Sequence, residues 1–580
     1  MKILGINSVF HETAASLIED GRIVASVEEE RLTGIKHGKQ ASPYGSWILP
    51  YNAINYCLTE GGITLGELDH VAYSFKPWLR LKRNLPKMIG RSLKGDPVPL
   101  RNGLAYFYFN KRIPAFLVKE IPQKISIRKR LIIKGAPQWK FHFVEHHVAH
   151  AAASFLASPF DQAAILSLDG IGETTCTLMA AGRGRSIKKL KEIGYPHSLG
   201  FLYEQVTKFL GFQQNNDEFK VMGLAAYGKP RFYRKLRQLV EWTEGGYRIR
   251  IDFDRSYLMG VKELYDLLGS PRSWETPLTG RHADIAASLQ EVLEKTVLHI
   301  LEWLHKKTGI DNLCLAGGVS LNCLMNERIL RESPFKNIFI QPAGHDAGTA
   351  LGAALWVNHA VLARPGKTVM DHACWGPAIK GDVEKHLKGA RIPYTRPEQI
   401  AKETARLISQ GKIVGWVQGR TEWGPRSLGN RSILADPRDK TMRERINKLK
   451  GREGYRPLSP AILEEALPEY FEDPSASPFM LFARKVRPPR RISLISAVNI
   501  DGTARFQSVG SKQNPLFHEL IQEFYRLTGV PAVINTSLNY REKPLVCTLE
   551  QALDCFYNTG LDYLAVNGCL ISKPFMTGHS

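Results

Sequence analysis

Apolar and polar positions along the first thirty residues predict three short strands. Residues 2–7 (KILGIN) form one, residues 14–18 a second and residues 22–27 a third, the last running into the acidic stretch Glu28-Glu29-Glu30. A polar turn holding His11 and Glu12 separates the first two, and Glu19-Asp20-Gly21 reads as a hairpin turn. The same layout recurs at residues 163–168, a DGIGE turn, and residues 176–181. Two such strand–turn–strand openings predict duplicated halves that present polar loops to each other across a cleft. Farther on, residues 312–318 predict a strand entering a glycine turn, with a helix over 320–330. Residues 337–341 read as another strand and 347–360 as a helix. The pattern resets around 365–370, where the main boundary is placed. Beyond it come a helix over 397–410, a strand over 413–418, and a strand edge at 534–539 (INTSLN), rich in hydroxyl and amide groups.

Candidate chemistry gathers at the ends of these elements. The segment VEHHVAHAAAS (144–154) is alanine-rich and predicts a helix, on which His146 and His150 share one face. It is not a zincin motif, because Glu145 lies outside the histidine pair. Asp169 ends the 163–168 strand, and Asp346 follows the 337–341 strand in the same manner. Two imidazoles and two carboxylates suit iron or another borderline divalent ion. The Gly317-Gly318 turn would let backbone N–H groups approach phosphate. In the C-terminal part, Arg420, Arg426 and Arg431 fall within one Arg/Gly-rich loop, and Lys450, Arg452 and Arg456 follow in NKLKGREGYRPLSP. Guanidinium forks at this density predict an oxyanion pocket.

Composition narrows the class. At 580 residues with 43% hydrophobic and 23% charged positions, the chain reads as a globular protein of two or three domains. No apolar run reaches the roughly 20 residues that span a bilayer, and the N-terminus reads as a strand rather than a signal peptide. Eight cysteines without a Cys-x-x-Cys pair predict reduced thiols and a cytoplasmic location. The net charge of +22 is uneven: residues 76–140 hold 17 Lys/Arg against Asp96 and Glu120, a balance of +15. Trp78, Tyr106, Phe107, Tyr108, Phe109 and Phe116 are mixed among them. Such a stretch reads as a nucleic-acid surface, an anionic-lipid surface, a basic lid over an anionic substrate, or a solvated insertion. No nucleic-acid-binding signature accompanies it, so nucleic acid is not the expected partner.

Seven blocks, HHVAHAAASF, DEFKVMGLAAYG, LAGGVSLNCLMN, GHDAGTALGAAL, GRTEWGPRSLGNRSIL, YRPLSPAI and TGVPAVINTSLN, resemble in order and spacing the nodulation-factor and antibiotic-biosynthesis O-carbamoyltransferase family. The resemblance runs almost end to end. It implies an α/β architecture: an actin-like (ASKHA, duplicated ribonuclease-H-like) domain over 1–367, with 76–140 as a basic aromatic insertion, and a YrdC-like domain over 368–580. The YrdC-like domain would make carbamoyl-adenylate from carbamoyl phosphate and ATP, with Mg2+ accompanying the ATP. The first domain would pass the carbamoyl group to an acceptor hydroxyl on an antibiotic, glycan or lipo-oligosaccharide, an acceptor that the basic insertion suggests is anionic. The resemblance implies Fe2+ or another divalent ion at His146, His150, Asp169 and Asp346. It places nucleotide contacts at Gly317, Gly318 and Asn322, and carbamoyl phosphate and nucleotide handling at Lys450, Arg456, Arg505 and Ser537. Arg420, Arg426 and Arg431 join the nucleotide-contacting set, His11 is the candidate base with His147 as its alternative, and a homodimer is an expected assembly. The chain departs from the family pattern at Glu12 (usually Asp), at Ile171, and at Arg541-Glu542-Lys543-Pro544. Competing readings are a threonylcarbamoyl-type tRNA-modifying transferase and a non-catalytic actin-like nucleotide-binding module.

Overall fold

The computed structural model describes residues 1–38, 49–93, 98–115, 117, 138–251, 253 and 261–573. It divides into two compact units, Met1–Met370 and Asp371–Ser580.

The first unit repeats one plan twice. β1 (Lys2–Asn7), β2 (Ala14–Glu19) and β3 (Arg22–Glu28) form an antiparallel meander, which β4 (His70–Tyr73) and β5 (Lys140–Phe143) extend in parallel, in the order β3-β2-β1-β4-β5. β6 (Gln162–Leu168), β7 (Thr175–Arg183) and β8 (Ser186–Gly194) form a second meander. A two-stranded ribbon, β9 (Val240–Thr243) and β10 (Gly246–Ile249), intervenes before β11 (Asn312–Ala316) and β12 (Asn337–Ile340) complete the order β12-β11-β6-β7-β8. Read from the meander outward, the two orders coincide, which is a duplicated ribonuclease-H-like arrangement. The central strands β1 and β6 are buried along nearly their whole length, as continuous apolar runs require. The edge strand β8 instead carries Lys188, Lys189 and Lys191, which blunt its unpaired side.

Two helices bring the halves together. His146–Phe155 is buried at every residue, and Gly348–Trp356 packs against it. Their approach is closest where Gly352 faces the carbonyl of Ala149, and any Cβ at 352 would overlap that oxygen. The helix expected over 347–360 loosens into a wider turn at Val357–Val361. The helix expected from 320 begins at Cys323, because the Asn322 side chain accepts from Met325 N–H at 3.0 Å and caps it there, after a short turn over Gly318–Leu321.

The second unit is built on a seven-stranded mixed sheet. Its strands are β13 (Val414–Val417), β14 (Arg431–Ala435), β15 (Ser459–Leu463), β18 (Gln507–Val509), β19 (Ala532–Ser537), β20 (Tyr563–Val566) and β21 (Cys569–Ser572), in the order β18-β15-β19-β14-β13-β20-β21. β16 (Ala483–Lys485) and β17 (Thr503–Arg505) form a separate ribbon. The INTSLN strand is therefore interior rather than an edge: β19 pairs antiparallel with both β14 and β15. Ala532 to Asn535 are buried, the mark of a strand covered on both faces. The helices Ile400–Ser409 and Pro515–Thr528 pack together over one side of the sheet.

Within the basic segment the structure describes two helices, Pro77–Leu93 and Val98–Lys111. Phe116 and residues 118–137, including Arg128, Lys129 and Arg130, lie outside the described residues.

Candidate functional site

The four residues singled out for metal converge in the first unit. The helix His146–Phe155 supplies His146 and His150, the end of β6 supplies Asp169, and the turn after β12 supplies Asp346. His146 Nε2 lies 3.4 Å from Asp169 Oδ2 and 3.3 Å from Asp346 Oδ1. His150 Nε2 lies 3.2 and 3.6 Å from the same two atoms. One ligand atom from each residue falls within 4.8 Å of every other. Burial works against an imidazolium at His146, yet the Asp346 and Asp169 carboxylates outweigh it and raise its pKa to about 10. Two imidazoles and two carboxylates converging in this way are a donor set that fits a divalent cation. Glu173 supports the helix start: its carboxylate accepts from His146 N–H at 3.1 Å and from Lys76 N–H at 2.7 Å. His147 turns the other way, to Ser167 Oγ at 3.0 Å.

A second cluster adjoins the first. His11 N–H donates to Asp346 Oδ2 at 2.9 Å, and His11 Nδ1 lies 2.6 Å from Glu12 Oε1. His37 Nδ1 is 3.4 Å from the same Glu12 oxygen, and His345 Nδ1 is 3.8 Å from the other. The Nε2 of His11 faces the Asn215 carbonyl. Oxygens lie against both ring nitrogens of His11; burial works against the charged ring, yet Glu12 outweighs it and lifts the pKa to about 10. His37, His345 and Asn215 were not identified from sequence. His345 could have been found beside Asp346 in GHDAG, whereas nothing local marks His37 or Asn215.

The glycine turn meets the cluster directly. Gly317 has φ 83°, and Gly318 N–H donates to Asp169 Oδ1 at 3.2 Å. Asn322, expected to contact nucleotide, spends its amide on the helix cap and on a reciprocal pair of 2.9 Å bonds with Gln290. Its role as placed is to shape the turn.

In the second unit Lys450, Arg456, Arg505 and Ser537 come within electrostatic or hydrogen-bond reach of one group. Lys450 Nζ donates to Ser537 Oγ at 3.2 Å, to Asn539 O at 3.0 Å and to Asn539 Oδ1 at 2.5 Å. Burial, then Arg452 and Arg456, hold the Lys450 ammonium well below its ordinary pKa. Burial, then Arg456 and Arg505, lower Arg452 to about 9. Arg452, one of the cations of the NKLKGREGYRPLSP stretch, belongs to this group, and its Nη2 is shielded from solvent with no partner among the described residues. Cations gathered this closely, two of them held below their ordinary pKa, describe a pocket for an anion.

The Arg/Gly loop departs from expectation. Arg431 is fully buried, and its guanidinium donates to the carbonyls of Gln418 (2.7 Å), Asn430 (3.0 Å), Gly419 (3.1 Å) and Pro377 (3.2 Å). It braces the loop and has no fork left for phosphate. Arg420 likewise donates to the carbonyls of Trp375 (2.7 Å) and Gly376 (3.1 Å). Arg426 is half-buried in the loop. Glu422 organises this segment by accepting from the N–H groups of Leu428, Asn430 and Arg431.

The carbamoyltransferase N-terminus profile matches residues 2–355, and the carbamoyltransferase C-terminus profile matches residues 405–573. The chain belongs to the carbamoyltransferase family. It is 40% identical to nodulation protein NolNO of Sinorhizobium fredii, over 98% of this chain and 80% of that protein. It is 39% identical to sll1178 of Synechocystis, over 98% of this chain and 96% of that protein. Nodulation protein U of Rhizobium fredii is 26% identical, over 99% of this chain and 96% of that protein. Among solved structures, HypF of T. kodakarensis aligns with a TM-score of 0.32 and 14% identity, over 63% of this chain and 48% of that chain, too distant to bear on the reaction. This carbamoyltransferase has no helix among its described residues long and apolar enough to cross a membrane.

Proposed function

We propose that the chain is an ATP-dependent O-carbamoyltransferase that forms carbamoyl-adenylate in the second unit and transfers its carbamoyl group to a hydroxyl in the first. The observation that carries this reading is the junction of the four-ligand cluster with the glycine turn, through Gly318 N–H and Asp169. It joins a glycine turn, a backbone arrangement suited to phosphate, to a donor set suited to a cation.

In the second unit, Lys450, Arg452, Arg456 and Arg505 would neutralise carbamoyl phosphate and the phosphate that leaves it, with Ser537 and Asn539 positioning Lys450. Carbamoyl phosphate and water would give carbamate and phosphate. The carbamate oxygen would attack the α-phosphorus of ATP, so that the bond to the β-phosphate breaks and pyrophosphate leaves carbamoyl-adenylate behind. In the first unit, the Gly317-Gly318 turn would lie against the adenylate, the Gly318 N–H passing from Asp169 to the phosphate as Asp169 takes up the ion. His146, His150, Asp169 and Asp346 would hold Fe2+ or another divalent ion, which supplies Lewis acidity and fixed charge when bound. The acceptor oxygen then attacks the carbamoyl carbon, the carbon–oxygen bond to the phosphate breaks, and AMP leaves. His11 is the proposed proton acceptor. Glu12 fixes its Nδ1–H tautomer, and Nε2 becomes available once it sheds its proton and parts from Asn215.

Phosphate release measured with ATP alone, carbamoyl phosphate alone, and both together tests the first half. Release only with both is expected, and release indifferent to ATP would overturn the adenylate. Mass spectrometry of a panel of hydroxylated acceptors, aminoglycosides, macrolides and lipo-oligosaccharides among them, tests the second half through a carbamoyl mass gain that depends on both substrates.

A further inference from the structure

The helices Pro77–Leu93 and Val98–Lys111 pack against each other, and at Gly103 the Met88 side chain leaves no room for a Cβ. Neither contains an acidic residue. They contribute Arg80, Lys82, Arg83, Lys87, Arg91, Arg101 and Lys111, and Arg112 follows directly. An ordinary surface helix turns its apolar face inward and its charges outward. Pro77–Leu93 does the reverse with part of each face. Arg80 lies over the Phe10 ring at 5.1 Å, and Phe10 itself packs 5.0 Å from the His146 ring. Arg83 lies over Tyr195, also at 5.1 Å. The outward side carries Trp78, Lys82, Ile89 and Leu93, whose spacings of four, seven and four residues set them on one face. Leu93 is 84% exposed, and Trp78 and Ile89 are also exposed. The second helix adds exposed Leu104 and Tyr108 beside exposed Arg101, Lys111 and Arg112.

We propose that this helix pair docks on an anionic lipid surface and so presents the transfer site to the membrane interface. Exposed aliphatic side chains gathered on one element are unfavourable in water and mark a contact surface. Bare phosphates of a nucleic acid would be recognised by the cations alone and would leave Ile89, Leu93 and Leu104 wet. A second copy of this chain would bring the same uncompensated positive charge against itself. An anionic bilayer takes both components: the aliphatic and aromatic side chains enter the interface, and Lys82, Arg101, Lys111 and Arg112 meet the headgroups.

Co-sedimentation of the full chain with vesicles of phosphatidylglycerol and phosphatidylcholine, against phosphatidylcholine alone, tests the proposal. Binding to the anionic vesicles is expected. Two double variants, Ile89→Glu with Leu93→Glu and Lys82→Glu with Arg101→Glu, should each weaken it about tenfold or more. Both should keep the thermal midpoint of the unmodified chain, because the substituted side chains are exposed; Ile89→Gln with Leu93→Gln replaces the first pair if it does not fold. Equal binding to both vesicle types, or none to either, would overturn the proposal. So would loss in the charge variant with full binding in the Ile89/Leu93 variant, the behaviour of a nucleic-acid or general polyanion surface.

Discussion

Replacing Lys450 with Met separates what this residue does for the fold from what it does for the reaction. Lys450 is only 5% exposed and its ammonium donates to the Ser537 and Asn539 groups, yet it sits among Arg452, Arg456 and Arg505. Its loss leaves buried acceptors unpaired, at about 1–3 kcal/mol for each one that water cannot reach. It also removes a buried cation that its neighbours repel, and an apolar side chain of similar volume recovers part of that cost. The two effects oppose each other, so the net change in stability should stay within about 2 kcal/mol, a shift of roughly 4–8 °C for a unit of this size. Formation of carbamoyl-adenylate should instead fall about 10²–10³-fold, as when one fixed charge-assisted donor is removed. Inorganic phosphate provides an independent reading. At 100 times its dissociation constant it should stabilise the unmodified chain by about 2.7 kcal/mol, and Lys450→Met by clearly less. The assays are thermal melts with and without phosphate, and phosphate release from carbamoyl phosphate plus ATP. Unchanged release, or equal stabilisation of both proteins by phosphate, would refute the anion pocket.

His150→Ala and Asp346→Ala should each lose the bound ion, about one per chain by elemental analysis of the unmodified protein, while circular dichroism stays unchanged; normal metal content in both would remove the ligand assignment. Arg431→Lys should destabilise the second unit by about 3 kcal/mol in urea denaturation, since one ammonium cannot serve four backbone carbonyls, and a normal midpoint would show that the loop does not need its brace. Burial and then Glu218 raise the Glu204 carboxyl from 4.5 to about 8. The unfolded chain therefore ionises it first, and its share of stability, full below pH 4.5, is lost as pH rises through about 8. Glu204→Gln should flatten the fall in thermal midpoint across that window, and identical pH profiles would show that Glu204 titrates normally.

Local periodicity made much of this molecule legible in sequence. The repeated strand–turn–strand openings are short-range patterns, and His146 and His150 share a helical face whatever else the chain does. Asp169 and Asp346 each follow an apolar strand, so their positions at strand ends could be read as well. What could not be read was where the donors of a given side chain go. Arg431 looks like a phosphate fork in sequence, but its loop turns four carbonyls toward it, and only the folded loop reveals that. Glu12 gathers His11, His37 and His345 from three separate turns, with no spacing rule to connect them. The hydroxyl- and amide-rich INTSLN stretch reads as a strand edge, whereas in the fold it lies between two strands and Ala532 to Asn535 are buried. The resemblance alone marks Asn322 as a nucleotide contact, and only the fold reveals that its side chain also ends one turn and begins a helix.

The contact between Gly352 and the Ala149 carbonyl has a mechanical consequence. Helices this close cannot slide or separate by small steps, because their interlocked backbones offer no soft side chain to yield. Any opening and closing of the two ribonuclease-H-like halves must then pivot about this seam, with the largest displacements far from it. His146 and His150 stand on one side of the pivot, and Asp346 leads into the helix on the other. Their mutual spacing should stay nearly constant through such a swing while the outer loops travel, so the His/Asp cluster would behave as the bearing of the machine and the rim of the cleft as its moving part.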